Sequence, residues 1–130
     1  MTRARWMFVL VAALFAACAD QPTSVGPGAG RLVVRLTTPH SDDGAMTFQV
    51  NGPAIEGASV NGSLQLFTRR VNDSTLVGAV IGTLANGAVI TIDVPDGSVA
   101  AAYTATLREV ADREDALRAS LAGYALTVTR

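Results

Sequence analysis

Three features of the sequence predict an all-β domain, a single antiparallel β-sandwich of about seven strands. Apolar residues alternate with polar ones over short runs, turn-forming residues separate those runs at close intervals, and only one stretch has helical spacing.

The first two strands carry the clearest alternation. Leu32, Val34 and Leu36 share one phase against Val33, Arg35 and Thr37; Met46, Phe48 and Val50 share one against Thr47, Gln49 and Asn51. A strand sends successive side chains to opposite faces, so the apolar set of each is expected to face the core. Between them His40-Ser41-Asp42-Asp43-Gly44 supplies turn chemistry. Five further strands are expected at 64–71, 75–82, 88–94, 103–110 and 124–129. Their separators include the turn pairs Asn72-Asp73, Asn86-Gly87 and Asp96-Gly97, of which Asn-Gly is the favoured hairpin type. Residues 111–121 interrupt the pattern: Asp112 could cap a short helix with Leu117 and Leu121 on one face at i, i+4, or the stretch is a loop across one end of the sandwich.

Ahead of the strands, Arg3 and Arg5 precede an unbroken apolar run of 12 residues, 6–17, which ends in Ala16-Ala17-Cys18 and gives way to polar Asp20-Gln21-Pro22-Thr23-Ser24. That is the three-part order of a secretory signal. A bilayer span takes about 20 apolar residues, so the run is short for a permanent membrane helix, and it lacks the polar stripe of a core helix. Leu14-Phe15-Ala16-Ala17-Cys18 resembles the lipobox of bacterial lipoprotein signal peptides, with Phe15 where an aliphatic residue is usual. The resemblance implies diacylglycerol in thioether linkage on Cys18, the only cysteine, and cleavage before it. The alternative is ordinary cleavage after Ala17 or Ala19. Ala19, in place of Asp, favours the outer membrane by resemblance to sorting rules in two-membrane bacteria. The organisation expected is a signal peptide at 1–17, an acylated N-terminus and flexible tether at 18–30, and a sandwich domain at 31–130. From Ala19 to Gly30 the chain holds two prolines and three glycines, and extended it could reach roughly 40 Å.

Composition narrows the chemistry. All ten basic residues are arginine, and the chain from Cys18 onward carries eight of them against eleven acidic residues, a formal −3, which gives nucleic acid no electrostatic footprint. With one histidine, one cysteine assigned to the anchor, and no G-x-S-x-G or H-E-x-x-H, no catalytic residue is assigned and no enzyme is expected. No cofactor or metal is expected either. His40 reads as a solvated loop residue, and Asp42 and Asp43, with Asp73 or Asp96, fit turns better than a calcium site because the D-x-[DN]-x-[DN]-G spacing is missing. Asn61-Gly62-Ser63 and Asn72-Asp73-Ser74 match a glycosylation pattern but read as turns. Phe48, Tyr103 and Tyr124 fall on core phases. Phe67 falls opposite to Leu64 and Leu66 and is expected to face outward beside Arg69, the one place where the sequence offers a candidate ligand-binding spot.

The stretches GTLANGAVITIDVP (82–95), YTATLREVAD (103–112) and GYALTV (123–128) resemble the closing strands of cohesin-like, immunoglobulin-like and carbohydrate-binding-like bacterial β-sandwiches. That resemblance covers about half the domain and implies an adhesive or ligand-binding module, with no family residue to carry over. The expectation is therefore a lipid-anchored, non-enzymatic interaction or structural module of the cell envelope, whose partners are the membrane through Cys18 and an envelope protein or glycan. The alternative is a carbohydrate- or small-ligand-binding module, which calls for Phe67 and Arg69 on a concave polar face.

Overall fold

A computed structural model describes residues 30–130; the segments expected to be a signal peptide (1–17) and, through Ala29, an acylated tether, with Cys18, lie outside the described residues. Eight strands form two antiparallel four-stranded sheets: β1 (Gly30–Thr37), β2 (Asp43–Asn51), β3 (Gly57–Val60), β4 (Gln65–Asn72), β5 (Thr75–Ile81), β6 (Gly87–Val94), β7 (Thr104–Asp112) and β8 (Ala125–Thr129). One sheet has the order β3-β6-β1-β8 and the other β4-β5-β2-β7. All described pairings are antiparallel, and the fold is the expected β-sandwich.

The alternation seen in the sequence sets which face of each strand is buried. Leu32, Val34 and Leu36 of β1 and Met46, Phe48 and Val50 of β2 are buried, and Ile90, Ile92 and Val94 of β6, Leu76 and Val80 of β5 and Val110 of β7 meet them between the sheets. Tyr103 closes the lower end. Its ring lies so close over Gly52 that a Cβ there would come within 2.1 Å of the ring, and its hydroxyl donates to the Ala54 carbonyl at 2.5 Å.

Two details depart from expectation, and a third decides for the loop at 111–121 over the short helix. The eighth strand, β3, has four residues and one large apolar side chain, Val60, too little pattern to register as a strand. Asn86-Gly87 and Asp96-Gly97 are not hairpin turns: each passes the chain from one sheet to the other, and β4–β5, through Asp73 and Ser74, is the single connection that joins sequential neighbours of one sheet. Asn86 serves instead as an acceptor for the Thr38 amide, at 2.8 Å. Residues 111–121 hold no helix. Asp112 Oδ1 does accept the Glu114 and Ala116 amides as a cap would, at 2.8 and 3.0 Å, but the chain turns back so that Leu117 bridges to Ala111 and the Arg118 amide donates to the Val110 carbonyl. The competing interaction that draws this segment away from a helix is the Arg118 side chain.

Candidate functional site

Two places in the domain concentrate polar or exposed chemistry. The first is at the end of the sandwich where β1 leads into β2 and β7 into β8. Asp43 is fully buried, and its carboxylate accepts the Thr38 hydroxyl at 2.5 Å, the Tyr124 hydroxyl at 2.8 Å, and Arg118 Nε and Nη2 at 3.2 and 2.8 Å. Arg118 also reaches Asp42 at 2.5 Å and lies 4.0 Å from Asp112. Burial alone would raise the Asp43 carboxyl, but the three donors together hold it below its ordinary value. Hydrogen bonds to Asp43 and Asp42 raise Arg118, so the guanidinium stays charged. Burial and the bond to Asp43 raise Tyr124, so its hydroxyl stays protonated.

This cluster is a clasp. Both oxygens of the buried carboxylate are engaged from within the domain, Oδ1 by Arg118 and Tyr124 and Oδ2 by Thr38, and the guanidinium occupies the middle of the three carboxylates where a cation would otherwise sit. It ties the segment after β7 to the β1–β2 turn. His40 stacks on Tyr124 with ring centroids 5.8 Å apart, exposed, and the carboxylates gather around Arg118 and not around it. Asp73 pairs with Arg70 at 3.8 Å and Asp96 accepts from Ser98, each away from the other carboxylates named for a cation site. No group of three or more His, Cys, Asp or Glu among the described residues could hold a metal.

The second place is the outer face of the β4-β5-β2-β7 sheet. In register across it, Phe67 of β4 meets Ala79 of β5, which meets Thr47 of β2, which meets Glu109 of β7; one step along, Arg69 meets Val77 and Val77 meets Gln49. Small side chains thus floor the middle of the sheet while Phe67 and Arg69 rise on one side and Arg108 and Glu109 on the other. The result is an open groove of about 690 Å³. A second depression of about 140 Å³ shares Thr47, Ala79 and Glu109 with it and continues to Ile81 and Leu117. Phe67 is 58% exposed and Leu117 64%, and with Ile81 they make three of the five large apolar side chains exposed among the described residues.

Two backbone features shape the groove. Gly78 lies opposite Phe48, and a Cβ on it would come within 2.6 Å of the Phe67 carbonyl oxygen and 2.9 Å of the Phe48 ring, so glycine lets β4 and the core phenylalanine close on the same point. In β7 the register slips between Phe48, which faces Leu107, and Thr47, which faces Glu109; Arg108 is the extra residue of a bulge. Without the bulge Arg108 and Glu109 would lie on opposite faces. With it both line the groove and Val110 still enters the core.

The sequence therefore placed Phe67 and Arg69 together on an outward face, and the structure brings them into one groove; Arg108, Ile81 and Leu117 were missed. The concave polar face that the carbohydrate alternative calls for is present in part: Thr47, Thr68, Arg69, Arg108 and Glu109 supply polar groups, and Phe67, Val77 and Ala79 make the rest of the lining apolar. No protein family model, curated protein or solved structure matches the chain.

Proposed function

We propose that the chain is an exported lipoprotein, acylated at Cys18, whose β-sandwich works as a non-enzymatic interaction module at the cell envelope, probing its partner with the outer face of β4-β5-β2-β7. The anchor half of this reading is supported by the lipobox-like residues 14–18. The module half is carried by one observation: Phe67, Ile81 and Leu117 stand exposed on a single groove-bearing face. Scattered exposed apolar residues are ordinary, whereas their concentration on one face marks an interaction site. The exposed aliphatic side chains Ile81 and Leu117 beside Phe67 favour a protein partner over the carbohydrate alternative, since sugar faces stack on aromatic rings and not on aliphatic chains.

Each half has its own test. Metabolic labelling with a palmitate analogue should mark the wild type and not Cys18→Ser, because serine cannot form the thioether; an unlabelled wild type in a host with lipoprotein processing refutes the anchor. Residues 18–130 carrying Cys18→Ser should retain a specific protein from envelope extract, and the same chain with Phe67→Ser should fold and lose it. Retention unchanged by Phe67→Ser refutes this face as the docking surface.

A further inference from the structure

We infer that the groove takes an extended acidic segment of another polypeptide, in which carboxylates alternate with apolar side chains. The inference rests on the reading of this face as a docking surface and names what occupies it. Shape comes first. The groove is concave, with Thr47, Val77 and Ala79 low between Phe67 on one side and Arg108 on the other. A second copy would bring the same excess of positive charge, Arg69 and Arg108 against one acid, up to this face, and a flat lipid surface would not reach the floor. A chain lying in the groove fills it.

The apolar contacts are also divided. Phe67 belongs to the larger depression, and Ile81 and Leu117 to the smaller one beyond it. From Val77 to Ile81 along β5 is about 14 Å at the usual strand rise, the span of roughly four residues of an extended peptide. Separate depressions at that spacing suit separate side chains, not one continuous hydrocarbon tail, which an open groove would leave wet.

Charge supplies the rest. The ion pairs among the described residues use Arg31, Arg70 and Arg118. Arg69 and Arg108 enter none of them, yet both line the groove, with Glu109 as the one acid beside them. Residues 30–130 carry ten acidic residues against eight arginines, so this face has a local excess of positive charge on a domain that is acidic as a whole. The guanidinium fork matches a carboxylate in two-point contact. An excess of one positive charge suits a segment with one or two carboxylates between apolar residues and not a polyacid.

The experiment is to pan a random twelve-residue peptide display library against residues 18–130 with Cys18→Ser, then synthesise the most enriched peptides and measure their binding by calorimetry. The expected peptides contain more Asp and Glu than Lys and Arg, with apolar residues between, and their Kd rises at least about tenfold with Phe67→Ala and with Arg69→Gln/Arg108→Gln. Arg35→Gln, an exposed arginine on the opposite sheet, leaves Kd unchanged. Circular dichroism of each variant verifies that it is folded. Binders that depend on Phe67 but are neutral or basic overturn the acidic assignment and leave the docking face standing. No binders, or binders indifferent to Phe67→Ala, overturn both.

Discussion

The two outer faces of the sandwich are built from the same alternating pattern and end with opposite surfaces. On the β3-β6-β1-β8 side the outward positions hold Ser59, Thr91 and Thr127 around a half-buried Val33, with Arg31 and Asp93 paired at 3.4 Å. On the β4-β5-β2-β7 side the corresponding positions hold Phe67, Val77, Ala79 and Ile81. Threonine suits a solvated strand: it keeps the β-branched shape the pleat favours and gives its hydroxyl to water. Large apolar side chains as exposed as Phe67 and Ile81 contribute little to folding, because water still reaches them in the folded state. Only one face is therefore shaped by folding alone, and the other carries exposed apolar side chains that folding does not require.

The strongest way to break that comparison lies on β2, where inner and outer positions alternate. Phe48→Ala removes a fully buried ring and is expected to cost roughly 3 to 5 kcal/mol, a large share of the stability of a domain this size. Gln49→Ala should cost much less in a denaturant melt. Were the order reversed, the inner and outer faces of this sheet would be wrongly assigned.

Next comes Asp43, which belongs to neither face and holds the two sheets at one end. Asp43→Ala removes the acceptor shared by Thr38, Tyr124 and Arg118 and should cost roughly 3 to 5 kcal/mol, the range for removing one partner of a buried ion pair. The same group sets a pH limit. Its folded-state value lies below the ordinary 3.8, so its contribution is fully present above that value and is lost as pH falls through the lower folded value. Acid unfolding of the wild type should steepen below about pH 3.8, and Asp43→Asn should flatten that limb; equal acid limbs in the two proteins would remove Asp43 from the account.

Gly78→Ala tests the point where groove and core meet. The new methyl group would press on the Phe67 carbonyl and the Phe48 ring, so the melt midpoint should fall and the Phe67 resonances should move. The smallest effect on stability is expected at Phe67 itself: Phe67→Ser should stay within about 0.5 kcal/mol of wild type, since the ring is mostly in water already.

The fold was legible where one residue in two is apolar, as in β1 and β2, because burial of one face writes its period into the sequence. It was not legible where something other than period decided the outcome. β3 has too few large side chains to show a period. Asn86-Gly87 carries hairpin chemistry, yet whether a turn stays within a sheet or crosses between sheets depends on distant pairing. Leu117 and Leu121 have helical spacing, but Arg118 between them is drawn to Asp42 and Asp43, some seventy-five residues back in the chain, and no local pattern announces a contact of that range. At the candidate site Phe67 and Arg69 could be read from their phase. Arg108 could have been suspected from the adjacent charged pair Arg108-Glu109 between Leu107 and Val110, which breaks a two-residue period as a bulge does. Ile81 and Leu117 come from separate elements that meet only in the folded domain.

The most direct measurement is site-specific photo-crosslinking in living cells, with a photoreactive amino acid placed at position 67 on one outer face and, in a second strain, at position 91 on the other. Both positions are on strands and both variants should be made in equal amount. A discrete crosslinked protein adduct is expected from position 67 and none from position 91. Adducts of equal yield from both positions, or from position 91 alone, would contradict the claim that the apolar outer face is the one the protein uses.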